Sequence, residues 1–121
     1  CCFQDNIVTL SASEFGYNAA ADILQRFPDT DAIYCVNDNT ALGAYKCLSE
    51  RGLRIPQDIS LCGCDDMLIS RYISPAISSM GYDKAEFGRL CMNNILEQLK
   101  GNTQQERKYI LYAEYKARSS V

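Results

Sequence analysis

The stretch from residue 32 to residue 66, AIYCVNDNTALGAYKCLSERGLRIPQDISLCGCDD, decides the fold. It begins with an apolar run at 32–36 and ends with a second apolar run at 59–64. The residues between the runs have helical spacing, and Gly52 is suited to end that helix. A strand, a helix and a second strand in this order nearly always form a right-handed parallel crossover. Both strands should therefore end at the same edge of one sheet.

A pair of polar residues follows each of the two strands at that edge. Asn37 and Asp38 close the first apolar run, and Asp65 and Asp66 close the second. Because the carboxyl ends of parallel strands lie side by side, we expect the two pairs to be neighbours in space. Open α/β sheets bind their ligands at this edge. The order of these residues by itself therefore predicts a binding site at this edge.

The composition is that of an ordinary globular chain of one domain or part of one. Of 121 residues, 47% are hydrophobic and 22% are charged, as is typical of folded soluble domains. The net charge of −3 leaves no basic surface of the kind that nucleic-acid binding requires. The sequence contains neither a membrane-spanning apolar run nor a leader peptide, so we expect no membrane association. A start at Cys1 without methionine indicates a fragment.

Seven cysteines and no histidine argue against catalysis and against metal binding. Five cysteines fall in predicted strands or helices, and none has C-x-x-C spacing. The pair Cys62 and Cys64 is the nearest approach to a metal-ligand pair, but a structural zinc site needs four ligands. We therefore predict buried, unreactive thiols, no metal or cofactor, and a reducing cytoplasmic location. Without histidine, and with no Ser or Cys beside a base, nucleophilic catalysis lacks its components, so we predict that the protein is not an enzyme.

The remaining pattern predicts about four strands and three helices in a three-layer αβα arrangement with a mostly parallel sheet. A capping box at Ser11 and Glu14 begins the first helix, and Pro28 ends it. The other predicted segments are helices at 40–51 and 83–100 and strands at 6–10, 32–36, 59–64 and 109–116.

Several short motifs in a fixed order resemble one known family. The chain has Asn-Asp after the first strand, Ala-Leu-Gly at 41–43 in the helix, Gly-Leu-Arg-Ile-Pro at 52–56, and Asp-Asp at the end of a strand that begins at Ile59. A Ser-Pro-Ala-Ile-Ser-Ser segment at 74–79 and a terminal Arg-Ser-Ser follow. This ordered set resembles the effector-binding core of LacI/GalR-family transcription regulators.

The resemblance implies the C-terminal subdomain of a periplasmic-binding-protein-like type I fold, spanning residues 1–121. The helix at about 80–100 would cross to an N-terminal subdomain that this chain lacks. The implied function is to bind a small polar metabolite, a sugar or a nucleobase-like molecule, and to control DNA binding by an absent helix-turn-helix domain. The family is dimeric, and its dimer contacts correspond to the exposed side of 40–50, with Lys46, and to 69–72.

The resemblance also separates the two polar pairs. It implies that Asn37 contacts the effector, since an amide offers both a donor and an acceptor to a sugar hydroxyl; a role only as a helix cap is the alternative. Asp65 has the stronger claim, because a carboxylate accepts strong hydrogen bonds from hydroxyl groups. Asp38 is predicted mainly as the N-cap of the helix, and Asp66 mainly as a residue that shapes the turn. Both are retained as ligand candidates.

Two further residues complete the set of ligand candidates, and a third residue is given a structural role. Ser11 is predicted to cap its helix and also to line the pocket. Tyr82 is predicted to pack in the core, with ligand stacking as the alternative. Arg118 is expected to tie the terminal strand to a carbonyl or carboxylate group.

Two other functions share parts of this pattern. A solute-binding protein of a sugar transporter has the same fold, and a signal peptide in place of a helix-turn-helix would distinguish it. A Mg²⁺-dependent phosphoacceptor domain also places paired aspartates at a strand end, but here the pair comes late in the chain. The sequence leaves open the identity of the effector, whether it acts as an inducer or a corepressor, and the operator sequence. It also leaves open the oligomeric state and whether this chain binds the ligand alone.

Overall fold

The computed structural model describes residues 11–101 and 108–121, which form four helices and four strands. In chain order they are α1 (Ala12–Arg26), β1 (Ala32–Tyr34), α2 (Asp38–Glu50), β2 (Ser60–Cys64), α3 (Ile69–Tyr72), β3 (Ser78–Gly81), α4 (Lys84–Leu99) and β4 (Glu114–Lys116). The strands form one sheet in the order β1-β2-β3-β4, with only β4 antiparallel to its neighbour. The predicted α/β class and mostly parallel sheet are confirmed.

The crossover predicted from residues 32–66 is present. Strands β1 and β2 pair in parallel, with Ile33 opposite Leu61, and α2 connects them. The helix begins two residues before the predicted start, and β1 ends two residues before the predicted end. The two polar pairs therefore lie at one sheet edge, as predicted.

Two glycines let α1 and α2 approach each other closely. A Cβ atom on Gly16 would lie 2.8 Å from the carbonyl carbon of Thr40 and closer still to its oxygen. A Cβ atom on Gly43 would lie 2.7 Å from the carbonyl carbon of Ser13 and 2.8 Å from the amide nitrogen of Tyr17. The helices therefore meet backbone to backbone, which is possible only where no side chain separates them.

The core lies between these helices and one face of the sheet. Along β2, burial alternates: Leu61 and Gly63 face the helices, whereas Cys62 and Cys64 are partly exposed. Burying these apolar side chains supplies the main driving force for folding. The buried apolar residues are Ala20, Ile33, Cys35, Ala41, Ala44, Cys47, Leu48, Ile55, Ile59, Leu61 and Ile77.

Strand β3 is not predicted by the sequence, and the last strand is shorter than predicted. Residues 78–81 read Ser-Ser-Met-Gly, which contains no β-branched residue to indicate a strand. Its serines are nevertheless buried, because backbone and side-chain hydrogen bonds satisfy them. The predicted strand at 109–116 is limited to Glu114–Lys116, and the predicted strand at 6–10 lies outside the described residues.

Helix α4 forms as predicted, but its apolar side chains are not covered. None of its residues is buried, and Phe87, Ile95 and Leu99 are 47%, 50% and 79% exposed. Asp83 caps it by accepting from the Glu86 N–H at 2.9 Å.

None of the helices in residues 11–101 and 108–121 is long and apolar enough to span a membrane.

The cysteines only partly match the prediction of buried thiols. Cys35 and Cys47 are buried, and burial raises the pKa of Cys35 to about 11, which keeps it protonated. Cys62 and Cys64 are partly exposed and Cys91 is exposed, so for these three the prediction of burial was wrong. The face of β2 that carries Cys62 and Cys64 points away from α2, and α4 does not bury Cys91.

Candidate functional site

The candidate site is built from the ends of β1 and β2. A hydrogen bond across this edge joins the segments that follow the two strands: the Asp38 carboxylate accepts from the Met67 N–H at 2.7 Å. The segments that follow β1 and β2 are therefore hydrogen-bonded to each other, as expected when the carboxyl ends of two parallel strands lie side by side.

Asn37 is the N-cap of α2. Its side-chain oxygen accepts the Thr40 N–H at 2.8 Å, which satisfies one of the free donors in the first turn. The prediction that Asp38 is the N-cap was therefore wrong, because Asp38 already lies within the helix. This hydrogen bond uses one of the two acceptor sites of the Asn37 oxygen, and the NH₂ group has no partner among the described residues.

Asp38 is completely buried and accepts three hydrogen bonds. One oxygen accepts the Met67 N–H and the Ser70 hydroxyl, and the other accepts the Ser79 hydroxyl, each at 2.7 Å. Multiple donors offset the cost of removing a carboxylate from water. A Cβ atom on Gly63 would collide with this carboxylate, so β2 passes Asp38 at a distance that only glycine permits.

The residues that follow β2 form a tight turn, called here the strand-end turn, comprising residues 65–67. Asp65 and Asp66 have φ values of 95° and 46°, in a region that side-chain-bearing residues seldom adopt. The Asp65 N–H donates to the Met80 carbonyl at 2.7 Å. The ammonium of Lys84 donates to the Asp65 carbonyl and, at 3.2 Å, to the Asp66 carbonyl. The turn is thus tied to β3 and to the start of α4.

Asp66 is committed to ion pairs. Its carboxylate pairs with Arg71 at 2.7 Å and closely with Arg118, and its side chain is only 12% exposed. Burial by itself would raise the pKa of Asp66, but hydrogen bonds from Arg118 and Arg71 outweigh burial and hold the pKa below its ordinary value. Arg118 also donates to the Ile77 carbonyl at 2.6 Å. The prediction that Arg118 ties the terminal segment to a carbonyl or carboxylate is confirmed.

Asp65 differs from its neighbour because its carboxylate is unpaired. No hydrogen bond or ion pair to this side chain exists among the described residues, and the residue is only partly buried. Of the carboxylates and the amide at this edge, Asp38 and Asp66 are therefore fully engaged, whereas Asp65 and the NH₂ group of Asn37 are available to a ligand.

The other two predicted candidates have local partners. Ser11 makes the expected capping box: its hydroxyl accepts from the Glu14 N–H at 3.2 Å, and the Glu14 carboxylate accepts from the Ser11 N–H at 2.9 Å. Tyr82 is 38% exposed, so its predicted core packing was wrong, and its ring lies edge-to-face against Phe87 at 5.7 Å. Both residues leave a surface that a ligand can contact.

The structure adds two residues that the sequence analysis did not identify. Tyr34 is 64% exposed beside Cys64, whose hydrogen bond is the main cause of a raised pKa for the phenol, with the nearby Asp65 charge a smaller one. Lys84 holds the strand-end turn. Nothing local in the sequence points to either contact, since each depends on which chain segments are neighbours in space.

The residues present do not suit a metal ion. Within the described ranges, no three His, Cys, Asp or Glu side chains are arranged to hold one. Asp66, one of the two aspartates that the Mg²⁺ hypothesis needs, is occupied by two guanidinium groups. A cation would have to displace both, which disfavours that hypothesis.

Comparison with known proteins agrees with this fold. The model of the family described as "Periplasmic binding protein-like domain" matches residues 4–121. The chain belongs to this family. Within the family, the chain is homologous to LacI-family repressors: it is 34% identical over 108 residues to the ribose operon repressor of Haemophilus influenzae. That match covers 89% of this chain and 32% of the repressor, so the chain spans about a third of the length of this relative.

Two solved structures of this family show the same architecture. A LacI family transcriptional regulator from Arthrobacter sp. FB24, in complex with lactose, has a TM-score of 0.79 and 32% identity, covering 89% of this chain and 41% of the regulator. The CelR–cellobiose complex has a TM-score of 0.86 and 26% identity, covering 90% of this chain and 33% of that chain. These relatives are transcription regulators, which favours the regulator hypothesis over the transporter alternative.

Proposed function

We propose that this chain forms part of the effector-binding and dimerisation domain of a LacI-family transcription regulator whose effector is a sugar. The observation that carries the proposal is the free carboxylate of Asp65 at the same sheet edge as the free NH₂ group of Asn37. The first accepts from hydroxyl groups and the second donates to them, so together they match the alternating donors and acceptors of a sugar. Relatives with lactose and cellobiose bound support this class of ligand.

The full-length protein is expected to bind a mono- or disaccharide, and Asp65→Asn should weaken that binding by about ten- to a hundredfold. This range corresponds to the loss of one charge-assisted hydrogen bond, roughly 1.5–3 kcal/mol. Asn37→Asp should weaken binding similarly while preserving stability, since the new carboxylate still caps α2 but cannot donate. Thermal-shift screening followed by titration calorimetry measures both effects.

Asp31→Asn is the matched control, because Asp31 is an exposed aspartate at the opposite end of β1. It should leave the sugar affinity unchanged. Undiminished binding by both Asp65→Asn and Asn37→Asp would show that the site has been misplaced. Failure of every sugar to bind while a nucleobase does would contradict the proposed ligand class.

We also propose that the protein is not an enzyme and acts in the cytoplasm through DNA-binding segments outside this chain. The sheet edge offers hydrogen-bonding groups but no histidine and no paired nucleophile and base. Asp38 and Asp66 are held in fixed hydrogen bonds and ion pairs rather than left free to exchange protons with a substrate. The homologous proteins are repressors, which favours binding over catalysis.

A homodimer is part of the same proposal. The α3 region exposes Leu68, Ile69 and Tyr72, which are 65%, 43% and 77% accessible. Three exposed apolar side chains within five residues are suited to contact a second subunit. Tyr72→Asp should raise the dimer dissociation constant of the full-length protein by at least about tenfold, as expected for an aromatic interface residue.

Analytical ultracentrifugation measures this change. Phe27→Asp is the control, since Phe27 is similarly exposed, at 63%, but lies at the far end of α1. A dimer that withstands Tyr72→Asp, or dissociates equally with Phe27→Asp, would contradict the assignment of this surface.

We further propose that α4, whose apolar side chains are exposed here, packs in a second subdomain outside this chain.

A further inference from the structure

The buried Asp38 carboxylate holds two amides of the strand-end turn. The Asp38 carboxylate accepts the Met67 N–H directly at 2.7 Å. It also accepts the Ser79 hydroxyl at 2.7 Å, and the Ser79 oxygen in turn accepts the Asp66 N–H at 3.0 Å. Two consecutive amides of the turn are therefore fixed by Asp38, one directly and one through Ser79.

These two hydrogen bonds matter because the turn has an unfavourable backbone. Positive φ values at two consecutive aspartates cost free energy and persist only where the surroundings hold them. The amides of Asp66 and Met67 come directly after Asp65, so the direction of the Asp65 side chain depends on them. Without these bonds, the ties to Met80 and Lys84 would remain, but the direction of the Asp65 carboxylate would be less restricted.

We propose that Asp38 is the positioning residue of the effector site: its buried carboxylate, with Ser79, fixes the strand-end turn and so presents the Asp65 carboxylate to the ligand. Asp38 is fully buried with its oxygens occupied, so it acts through Asp65 rather than by touching the effector. The assignment of Asp65 as the presented group rests on the proposed function. That Asp38 holds the turn follows from the hydrogen bonds and does not depend on the proposed function.

The same carboxylate connects the site to α3. Its Met67-bonded oxygen also accepts the Ser70 hydroxyl, and Ser70 is buried in α3. Ser70 does not bond to either amide of Asp66 or Met67, although its own N–H donates to the Met67 carbonyl at 3.1 Å. The three donors to Asp38 therefore have separable roles, and this separation provides the test.

Amide hydrogen exchange with single-residue resolution, on the full-length protein, tests the holding of the turn. Asp38→Ala should accelerate exchange at Met67 by about tenfold or more, because its direct hydrogen bond is lost. It should also accelerate exchange at Asp66, to a smaller extent, because the Ser79 hydroxyl that accepts this amide is no longer held by Asp38. Ser79→Ala should accelerate Asp66 alone, because Met67 keeps its direct bond. Ser70→Ala, the matched control within the same cluster, should accelerate neither. Ser79→Ala and Ser70→Ala keep the carboxylate, so they decide the question even if Asp38→Ala does not fold.

Sugar affinity of the same variants tests the consequence for the site. Asp38→Ala and Ser79→Ala should weaken binding by about tenfold, whereas Ser70→Ala should change it less than about twofold. Ile59→Val, which loosens the core at the other end of β2, should lower stability without changing affinity. This contrast separates positioning from a general loss of stability.

Two results would overturn the inference. Wild-type exchange at Asp66 in Ser79→Ala would show that Asp38 does not hold the turn through Ser79. Faster exchange at Asp66 with unchanged sugar affinity would show that the turn does not position the ligand group. If the wild-type protein binds no sugar, the proposed function fails, while the exchange pattern still decides whether Asp38 holds the turn.

Discussion

Replacing Gly43 by alanine is expected to destabilise the fold by more than about 3 kcal/mol, beyond the usual range for an overpacked site. The new methyl group would meet the carbonyl group of Ser13 and the amide nitrogen of Tyr17, which are backbone atoms of α1. Backbone cannot rotate aside as a side chain does, so the two helices would have to separate. Separation would expose the apolar core around Ala20 and Ala44, where α1 packs against α2.

Urea unfolding followed by circular dichroism measures the loss. Gly88→Ala is the matched control, because Gly88 lies in exposed α4 and a Cβ atom there meets nothing within 4 Å. That variant should be stabilised slightly, by up to about 1 kcal/mol, through the higher helix propensity of alanine. Equal effects of the two substitutions would contradict the close helix crossing, since propensity alone would then explain both.

Replacing Arg118 by methionine is the second large effect, with an expected loss of about 3 kcal/mol, near the lower end for breaking a buried ion pair. The side chains of Arg118 and Asp66 are only 14% and 12% exposed, so water would replace the lost guanidinium poorly. Arg71 would still partner the carboxylate, which limits the loss. Methionine keeps much of the aliphatic length of arginine, so the change removes mainly the charge and its donors.

The same variant should change the response to acid. In the wild type the folded-state pKa of Asp66 is lowered, so its stabilising contribution is complete above the unfolded-state pKa of about 3.9. That contribution is lost as the pH falls through the lower folded-state pKa. In Arg118→Met, only Arg71 would still oppose the effect of burial on Asp66. The folded-state pKa of Asp66 should therefore be higher than in the wild type. Acid unfolding should therefore begin at a higher pH, and the two proteins should converge at low pH.

Urea unfolding at a series of pH values from 7 to 3 measures this behaviour. Arg26→Met is the control: its ion pair with Asp22 is more than half exposed on both sides, and such pairs contribute at most about 1 kcal/mol. A pH-independent difference between Arg118→Met and the wild type would show that the ion pair with Asp66 is not the cause of the lost stability.

Local and medium-range features were predictable from the sequence because their causes lie close together in the chain. The crossover at 32–66 and the capping box at Ser11 follow from periodicity and residue spacing, and both are present. The position of the site at the carboxyl edge follows from parallel strand pairing. Strand β3 was missed, because its burial depends on partners more than thirty residues away, such as Ser120, which accepts from the Ser78 N–H.

The sequence by itself determined which residues gather at the binding edge: Asn37 and Asp38 after one strand, Asp65 and Asp66 after the next. Only the tertiary structure decided what each of them does. Asp38 can be buried because Ser70 of α3 and Ser79 of β3 donate hydrogen bonds to it. Asp66 forms an ion pair because Arg118, far away in the sequence, lies next to it. Which carboxylate stays free for a ligand depends on where distant donors lie, and spacing along the sequence does not encode that.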